Sequence, residues 1–490
     1  MYRFCTRAVA PFATACFVTT CALQLLAAGA VAATDATAST GVDASSSPAR
    51  EESTAFQRAP GQRYWLGHLA SRVPLAITDN DFRSNDPDRV ALGRLLFHDP
   101  VLSGNRNIAC ATCHHSTLAS ADGQSLGVGE GGTGLGAERR RAEHRTSLKH
   151  RVPRHSPALF NLGAYEFTVL FHDGRVSIAP DEPSGFDSPA GEYLPKGLPS
   201  VLSAQALFPL LSEVEMAGAA DSNDVAAAAA RRSDHGWREI ESRLRGIDAY
   251  LPVFSGAWPA IKAPGDITIA HVAEAMDAFI SSEWRATDSP YDDWLSGNAH
   301  ALDEEQLAGA DLFYGKARCS SCHSGALQTD HGFHALMLPP LGPGRTRAFD
   351  PVGRDPGRMN VTDRLEDAYR FRTPSLRNVE RTAPYGHNGS FATLEGIIRH
   401  HLEPRSSLKH WDRTQLVLLD DENLNLADFL IADDRHEMAR YTNHLDISPV
   451  TLGDAEVEQL IAFLRALTDT ASLPGTHGPP DAVPSGLPID

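Results

Sequence analysis

Two short stretches of this chain decide how it folds: Cys110-Ala-Thr-Cys-His114 and Cys319-Ser-Ser-Cys-His323. Both have the pattern Cys-x-x-Cys-His, in which two thiols can add to the vinyl groups of a haem. The histidine that follows is then held beneath the iron as its proximal ligand. The pattern predicts two covalently bound haem c groups, each held by three residues: Cys110, Cys113 and His114 for the first, and Cys319, Cys322 and His323 for the second.

The remaining cysteines, Cys5, Cys16 and Cys21, lie near the N-terminus, so the two motifs use every cysteine beyond it. A disulfide within either motif would close a strained loop and would leave the following histidine unexplained. A zinc site made of four thiolates would have to join motifs that are about 200 residues apart, far beyond the usual spacing of zinc ribbons. We therefore favour haem over both alternatives.

The N-terminus is typical of a signal peptide. Arg3 and Arg7 precede an apolar stretch, and Ala30-Val-Ala32 fits a signal-peptidase site. We expect a signal peptide over residues 1–32, a flexible linker over 33–60, and a periplasmic location, where haem attachment also takes place. A membrane anchor is the alternative, although Pro11 interrupts the apolar stretch.

The composition excludes two broad classes of protein. With 42% hydrophobic and 22% charged side chains, the 490 residues are typical of a globular rather than a disordered chain. A formal net charge of −18 argues against a nucleic-acid partner, because phosphate contacts need clustered lysines and arginines. Beyond the N-terminus no stretch is apolar for the ~20 residues of a membrane span, so we expect none in the mature protein.

A similar helical segment precedes each haem motif, at 90–97 and at 306–315. Both segments place apolar residues at helical spacing, as do 269–280 and 460–467. This arrangement indicates a distant internal duplication and an all-α fold with long loops and few strands. We predict two cytochrome c-like domains and a short tail: an N-terminal domain over 61–295, a C-terminal domain over 296–472, and a loose segment over 473–490.

Several longer motifs add a family resemblance: Leu92-Gly-Arg-Leu-Leu-Phe-His-Asp99, Phe171-His-Asp-Gly-Arg175, Arg372-Thr-Pro-Ser-Leu-Arg-Asn-Val379 and Thr382-Ala-Pro-Tyr-Gly-His-Asn-Gly389. With these motifs the chain resembles the bacterial di-haem cytochrome c peroxidase family, including its MauG branch, over about residues 87–470. The resemblance implies that the N-terminal haem reacts with hydrogen peroxide. The C-terminal haem would supply or share electrons.

The resemblance also implies two catalytic residues on the open side of the first haem, Glu215 and Gln205. Splitting the O–O bond requires a proton to leave one peroxide oxygen and return to the other, and one carboxylate near the iron can do both. Glu213 is the rival carboxylate. Family members have a removable histidine ligand sixteen residues after the proximal one, where this chain has Glu130. We therefore predict an open first iron.

Three histidines could still reach the first iron: His144, His150 and His155. The sixth ligand of the second haem lies, by the same resemblance, on a helix after the Thr-Ala-Pro motif, and the matching residue is His401. Leu394, Ile397, Ile398 and His401 also fall on one apolar helix face, whereas His400 points about 100° away. Met337 and Met359 are the alternative ligands.

Two departures from the family concern the region between the haems. The resemblance implies a calcium ion there, with carbonyl oxygens of Thr382 and Pro384 as ligands, but the third ligand position holds His155. Imidazole is a poor ligand for this hard cation. In addition, His172 replaces a tryptophan near the inter-haem route, so electrons would use Phe313, Tyr314 or direct tunnelling.

Three functions remain open on the sequence. The first is a periplasmic peroxidase that reduces hydrogen peroxide with electrons from a small cytochrome c or cupredoxin. The second is a MauG-like enzyme that uses peroxide to oxidise residues of a partner protein. The third is a non-catalytic di-haem electron carrier, which would not need Glu215 and Gln205.

Overall fold

The structure is a computed structural model that describes residues 69, 72–143, 148–345 and 353–489. The predicted signal peptide at 1–32, the predicted linker at 33–60 and the candidate ligand His144 lie outside the described residues. Helices dominate the described part, and its strands are few and short. This confirms the prediction of a helix-rich fold with few strands.

Sixteen α-helices occur in the described ranges. In chain order they are α1 Pro87–His98, α2 Cys110–Cys113, α3 Val201–Ala206, α4 Asp224–Ala229, α5 Ser233–Arg245, α6 Tyr250–Ala257, α7 Ile269–Glu283, α8 Pro290–Leu295, α9 Glu304–Tyr314, α10 Met359–Thr362, α11 Leu394–Leu402, α12 Pro404–Lys409, α13 Glu422–Asp428, α14 Leu430–Asp433, α15 Arg435–Tyr441 and α16 Asp454–Arg465. A single π-helical turn, Glu213–Ala217, interrupts the loop between α3 and α4.

The strands form three small antiparallel sheets. They are β1 Gly132–Thr133 with β2 Arg140–Arg141, then β3 Val169–Leu170, β4 Val176–Ile178 and β5 Phe186–Asp187, and finally β6 Phe333–His334 with β7 Phe371–Arg372. These sheets pin the long loops that connect the helices. No helix in the part of the chain that the structure describes has the length and apolar character to cross a membrane.

One helix crossing occurs twice. In the first half α1 packs on α7, and in the second half α9 packs on α16. Each crossing depends on a glycine, since a Cβ on Gly93 would overlap the carbonyl oxygen of Ala275, and a Cβ on Gly309 would overlap that of Gln459. The backbones can approach this closely only where the side chain is a hydrogen atom.

The same pair of phenylalanines lies beside each crossing. The rings of Phe97 and Phe279 have centroids 5.2 Å apart, and those of Phe313 and Phe463 have centroids 5.1 Å apart. Each first ring follows its glycine by four residues, one helical turn further along the same face. The match of glycine, ring and partner helix in both halves is what an internal duplication would leave.

The buried apolar residues form two main cores. The first gathers residues from 77 to 286, together with Leu327, and the second gathers residues from 291 to 467, together with Leu69. The second core thus begins at α8, just before the predicted domain boundary at 295–296. Because Leu69 belongs to the second core, the described start of the chain packs against the second half before the chain enters the first.

The last described residues of the chain pack against the first half. Here the structure differs from the predicted loose tail at 473–490. The Glu283 carboxylate accepts the backbone N–H groups of His477 at 2.8 Å and of Gly478 at 2.9 Å. Arg94 donates to the Gly478 carbonyl at 2.8 Å. Such a segment has no hydrophobic periodicity to reveal it in the sequence, because its backbone groups, rather than an apolar face, attach it to the first half.

We predict that Gly309→Ala lowers the free energy of unfolding by about 1–3 kcal/mol, the usual cost of forcing an extra methyl group into a packed contact. Gly256→Ala in α6 is the matched control, because a Cβ there would meet open space. The control should be neutral or stabilising by up to about 1 kcal/mol. Urea unfolding followed by circular dichroism compares the two, and equal midpoints would contradict the close crossing.

Candidate active site

A single cavity of about 1340 Å³ runs between the two halves of the described chain. Both Cys-x-x-Cys-His motifs line it. Pockets for one small ligand usually measure ~300–1,000 Å³. The cavity is therefore larger than one ordinary ligand needs, and its two ends offer the same set of donor atoms.

The histidine of each motif is fixed in the same way. The Nδ1 of His114 lies 3.0 Å from the carbonyl oxygen of Ser120, and the Nδ1 of His323 lies 3.0 Å from that of Gln328. A carbonyl oxygen can only accept, so Nδ1 is the protonated nitrogen and Nε2 keeps a free lone pair. Burial lowers the pKa of both imidazoles to about 4, which keeps them neutral, as metal ligation requires.

The thiols of the two motifs suit covalent haem attachment. All four cysteines of the described part are free, which argues against the disulfide alternative. Burial raises the pKa of Cys110, Cys113 and Cys319 to about 12. Within the described residues the one metal-sized cluster is Cys322 with Asp330 and His334, so the four thiols do not converge as a zinc site would need. The residues present fit two haem c groups.

The structure separates the candidate ligands for the second haem. His401 lines the cavity, and its Nδ1 lies 2.8 Å from the Ile397 carbonyl, which leaves Nε2 for the cavity. His400 is fully buried with both ring nitrogens engaged: Nε2 lies 2.8 Å from the Leu336 carbonyl and Nδ1 lies 3.1 Å from the Ser407 hydroxyl. The adjacent histidines therefore have different surroundings, as the helix geometry predicts.

The two alternative ligands for the second haem lie elsewhere. Neither Met337 nor Met359 is among the described residues that line the cavity. Met337 is almost completely buried in the protein. Of the three candidates, His401 is thus the one whose side chain shares the cavity with His323.

The structure also separates the rival carboxylates near the first motif. Glu215, on the π-helical turn, lines the cavity together with Gln205. Burial raises the pKa of Glu215, while the guanidinium of Arg175 opposes that rise. Glu213 belongs to the same turn, but its side chain is half exposed and forms an ion pair with Lys149 at 3.1 Å. A surface ion pair of this kind does not need a cofactor nearby.

The loop that has Glu130 in place of the family's histidine packs directly against the Glu215 turn. The Glu130 backbone N–H donates to the Glu215 carbonyl at 2.9 Å, and its carboxylate accepts from Asn105 at 2.8 Å. A Cβ on Gly129 would lie 2.5 Å from the same Glu215 carbonyl. Glu130 does not belong to the cavity lining found in the described part. The loop therefore supports the turn that contains Glu215.

Two of the histidines proposed to reach the first iron are described. His155 and His150 both line the cavity. The Nδ1 of His155 lies 2.8 Å from the Gln124 carbonyl, and burial lowers its pKa to about 4. His155 directly precedes Ser156, whose hydroxyl donates to the Cys113 carbonyl at 2.8 Å. His155 therefore lies beside the haem-attachment turn of the first motif.

The calcium site that the resemblance implies fits this chain poorly. Thr382 and Pro384 do line the cavity. The third position, however, offers the imidazole of His155, which is already engaged with a carbonyl. Arg154 beside it adds a buried positive charge that would repel a divalent cation. The donor set does not favour calcium.

The inter-haem region contains further aromatic and charged groups. His172 lines the cavity, and burial, assisted by nearby Arg154, lowers its pKa well below the usual value. Phe313 also lines the cavity, whereas the Tyr314 hydroxyl lies 2.5 Å from that of Tyr291. Tyr314 therefore lies behind Phe313, within the second core, rather than on the cavity wall.

Sequence reasoning missed the group of arginines beside Glu215. Asp173 is fully buried and lies within ion-pair distance of three guanidinium groups, those of Arg154, Arg175 and Arg345. Two of these four residues, Asp173 and Arg175, were visible in the motif Phe171-His-Asp-Gly-Arg175. Arg345 comes from a distant loop, so no local pattern could have placed it there.

A helix-rich chain whose cavity presents two cysteine pairs, two oriented histidines and a carboxylate has the residues expected of a di-haem redox protein. Comparison with known proteins gives the family. The model of the family "Di-haem cytochrome c peroxidase" matches residues 87–300. The chain belongs to this family, which makes it a di-haem oxidoreductase of the peroxidase class, as predicted.

Individual proteins with similar sequences support this family assignment. The methylamine utilization protein MauG of Methylorubrum extorquens is 29% identical over 70% of this chain and 77% of its own length. The cytochrome-c peroxidase IdrP1 of Denitromonas iodatirespirans is 30% identical over 64% of this chain and 71% of its own length. A crystal structure described as a MauG-like protein associated with microbial copper homeostasis has 26% identity and a TM-score of 0.52, and the match covers 82% of this chain and 94% of that one.

We predict that His401→Ala changes the second haem of the ferric protein from a low-spin to a high-spin spectrum, because it removes the cavity-facing imidazole. His400→Ala is the matched control. It should keep the low-spin signal while losing about 1–3 kcal/mol of stability, since it leaves the Leu336 carbonyl and the Ser407 hydroxyl without their partner. Electron paramagnetic resonance distinguishes the variants, and a low-spin signal that disappears only in His400→Ala would contradict the assignment.

Proposed function

We propose that this protein is a periplasmic di-haem peroxidase that reduces hydrogen peroxide at the haem held by Cys110, Cys113 and His114. The overall reaction converts one hydrogen peroxide, two electrons and two protons into two molecules of water. The observation that supports this proposal most directly is the partly buried Glu215 on the wall of the cavity that His114 also lines. An electron carrier would gain nothing from a carboxylate there.

Glu215 and Gln205 handle the protons of the reaction. When bound, the first haem supplies an iron that takes up one peroxide oxygen and delivers electrons to the O–O bond. The Glu215 carboxylate accepts the proton of the oxygen nearer the iron and returns it to the leaving oxygen, which departs as water. Gln205, with an amide donor and an acceptor, orients the peroxide beside that carboxylate.

His323 and His401 would hold the second haem, which would supply electrons to the first. Two imidazoles would keep that haem in one coordination state, which suits repeated electron transfer. The electrons come from a small periplasmic protein, a cytochrome c or a cupredoxin. Each haem belongs to its own cytochrome c-like domain, and the repeated crossing at Gly93 and Gly309 supports this reading. Export depends on the signal peptide at 1–32.

MauG-like oxidation of residues in a partner protein is the second candidate function. Glu130 in place of the removable histidine favours it, because an iron that is open at rest needs no reductive activation. His172 in place of tryptophan weakens it, since imidazole holds an oxidising equivalent less readily. Rapid peroxide consumption with a reduced small cytochrome would favour the peroxidase. A calcium ion at Thr382 and Pro384 stays a prediction, and no step of the proposed reaction depends on it.

We predict that Glu215→Gln slows the reaction of the ferric protein with peroxide by about 10²–10⁴-fold, the usual contribution of a general acid–base group. Glu213→Gln, two residues away and paired to Lys149 at the surface, is the matched control and should react normally. Stopped-flow absorption measures both rates. Equal rates for Glu215→Gln and the unchanged protein would remove this carboxylate from the mechanism.

The pH dependence gives a second test. Burial raises the pKa of Glu215. Its ionised carboxylate, which must accept the peroxide proton, therefore becomes protonated at a higher pH than that of an ordinary glutamate. The rate should therefore fall as the pH decreases through this raised pKa, and Glu215→Gln should show no such decrease. A decrease of the same shape in both proteins would assign the titration to another group.

A further inference from the structure

Three arginines line the cavity together with Glu215: Arg154, Arg175 and Arg345. Arg154 donates to both oxygens of Asp355, at 2.7 and 2.8 Å, and also pairs with Asp173 at 2.8 Å. Asp173 also pairs with Arg175, at 3.0 Å, and with Arg345, at 3.6 Å. Although burial alone would raise the pKa of Asp173, the surrounding guanidinium groups hold this pKa below its usual value. Asp173 is therefore ionised at neutral pH.

Arg175 is the arginine with the largest electrostatic effect on Glu215. The two residues line the same cavity, and each shifts the pKa of the other. Burial lowers the pKa of Arg175 only to about 10, so it is charged at neutral pH. Among the groups that the structure describes, no other cation lowers the pKa of Glu215 more strongly.

Two contacts hold the Arg175 side chain in place. One of its terminal nitrogens contacts both carboxylate oxygens of Asp173, at 3.0 and 3.2 Å, and the guanidinium lies 3.3 Å from the centre of the Phe171 ring. Stacking and one anchoring carboxylate fix the plane of the group. Within the described residues, the side-chain hydrogen bonds of Arg175 go to Asp173.

The charge balance depends on the protonation of Glu215. With Glu215 ionised, Arg175, Arg345 and Arg154 face the three carboxylates Asp173, Asp355 and Glu215. Once Glu215 has taken a proton, one positive charge remains in excess on a buried wall. An unbalanced charge in such surroundings attracts a counter-ion far more strongly than it would at the surface.

We propose that Arg175 forms an anion-binding subsite on the open side of the first haem, which holds the hydroperoxide anion produced when Glu215 takes the peroxide proton. In this step the peroxide loses one proton and Glu215 gains it, so charge is conserved and no electron moves. The same subsite takes other small monovalent anions, such as fluoride. Asp173 and Phe171 are positioning residues for Arg175. The inference rests on the proposed function for the open coordination position at the first iron and for the transfer of the peroxide proton to Glu215.

The test compares a charged and a neutral ligand on the ferric protein with both haems attached. Sodium fluoride and imidazole are titrated separately into the unchanged protein and into Arg175→Gln and Arg175→Lys, with absorption as the readout. Arg285→Gln is the matched control, because Arg285 also stacks on a phenylalanine, Phe82, at 4.4 Å and pairs with an aspartate, Asp79, at 3.0 Å. Arg285 is not part of the cavity wall among the described residues.

We expect Arg175→Gln to weaken fluoride binding about ten- to a hundredfold, the value of one hydrogen bond to a charged group. Arg175→Lys should recover part of this loss, and imidazole binding should change by less than about threefold in either variant. Arg285→Gln should bind both ligands normally. Fluoride binding that is unchanged in both Arg175 variants would overturn the inference, because Arg175 would then serve only as a structural or haem-neutralising charge.

Other outcomes also overturn it. Equal weakening of fluoride and imidazole would mean that the substitution distorts the site rather than removing a charge. If Arg175→Gln fails to retain haem, Arg175→Lys and Asp173→Asn provide the comparison, and the absence of any selective loss of fluoride in both would be decisive. A first iron that binds neither ligand in the unchanged protein would contradict the open site itself. Normal fluoride binding in Arg175→Gln with slow peroxide reaction in Glu215→Gln would remove the subsite and leave the proposed function intact.

Discussion

A hydrogen bond from an imidazole Nδ1 to a backbone carbonyl oxygen is the interaction on which both halves of this protein depend. It joins His114 to Ser120 and His323 to Gln328, at 3.0 Å in each case. The bond fixes the tautomer, and with it the nitrogen that faces the cavity. Because each carbonyl lies a few residues after its histidine, the short loop that closes behind each motif is part of the metal site.

The two halves share this hydrogen bond but differ on the other side of the cavity. The second half presents His401, an imidazole with one nitrogen held by its own helix. The first half presents Glu215, whose turn is supported by the glycine-rich loop around Gly129. In the proposed function, the second site would keep an iron saturated and the first would leave it open beside a proton acceptor. The proposed division of labour between electron transfer and peroxide chemistry follows from that difference, not from the attachment motifs.

Local sequence was sufficient for the features that depend on local geometry. The spacing within Cys-x-x-Cys-His and the helical position of His401 relative to His400 could both be predicted, because thioether attachment and helix periodicity are short-range constraints. The arginines around Asp173 could not, since Arg154 and Arg345 come from loops that only the folded chain brings together. The attached C-terminal segment was missed for a related reason: its backbone N–H groups bind the Glu283 carboxylate, and every residue has a backbone N–H.

The central claim is that two haems are joined by thioether bonds to the two motifs. Intact mass spectrometry of the denatured protein, purified from a bacterial host that performs haem attachment, tests it most directly. The account predicts a mass equal to the processed chain plus two haem groups, falling by one group in a variant with both Cys319 and Cys322 replaced by alanine. A mass equal to the bare polypeptide, in a host that matures other c-type cytochromes normally, would contradict it.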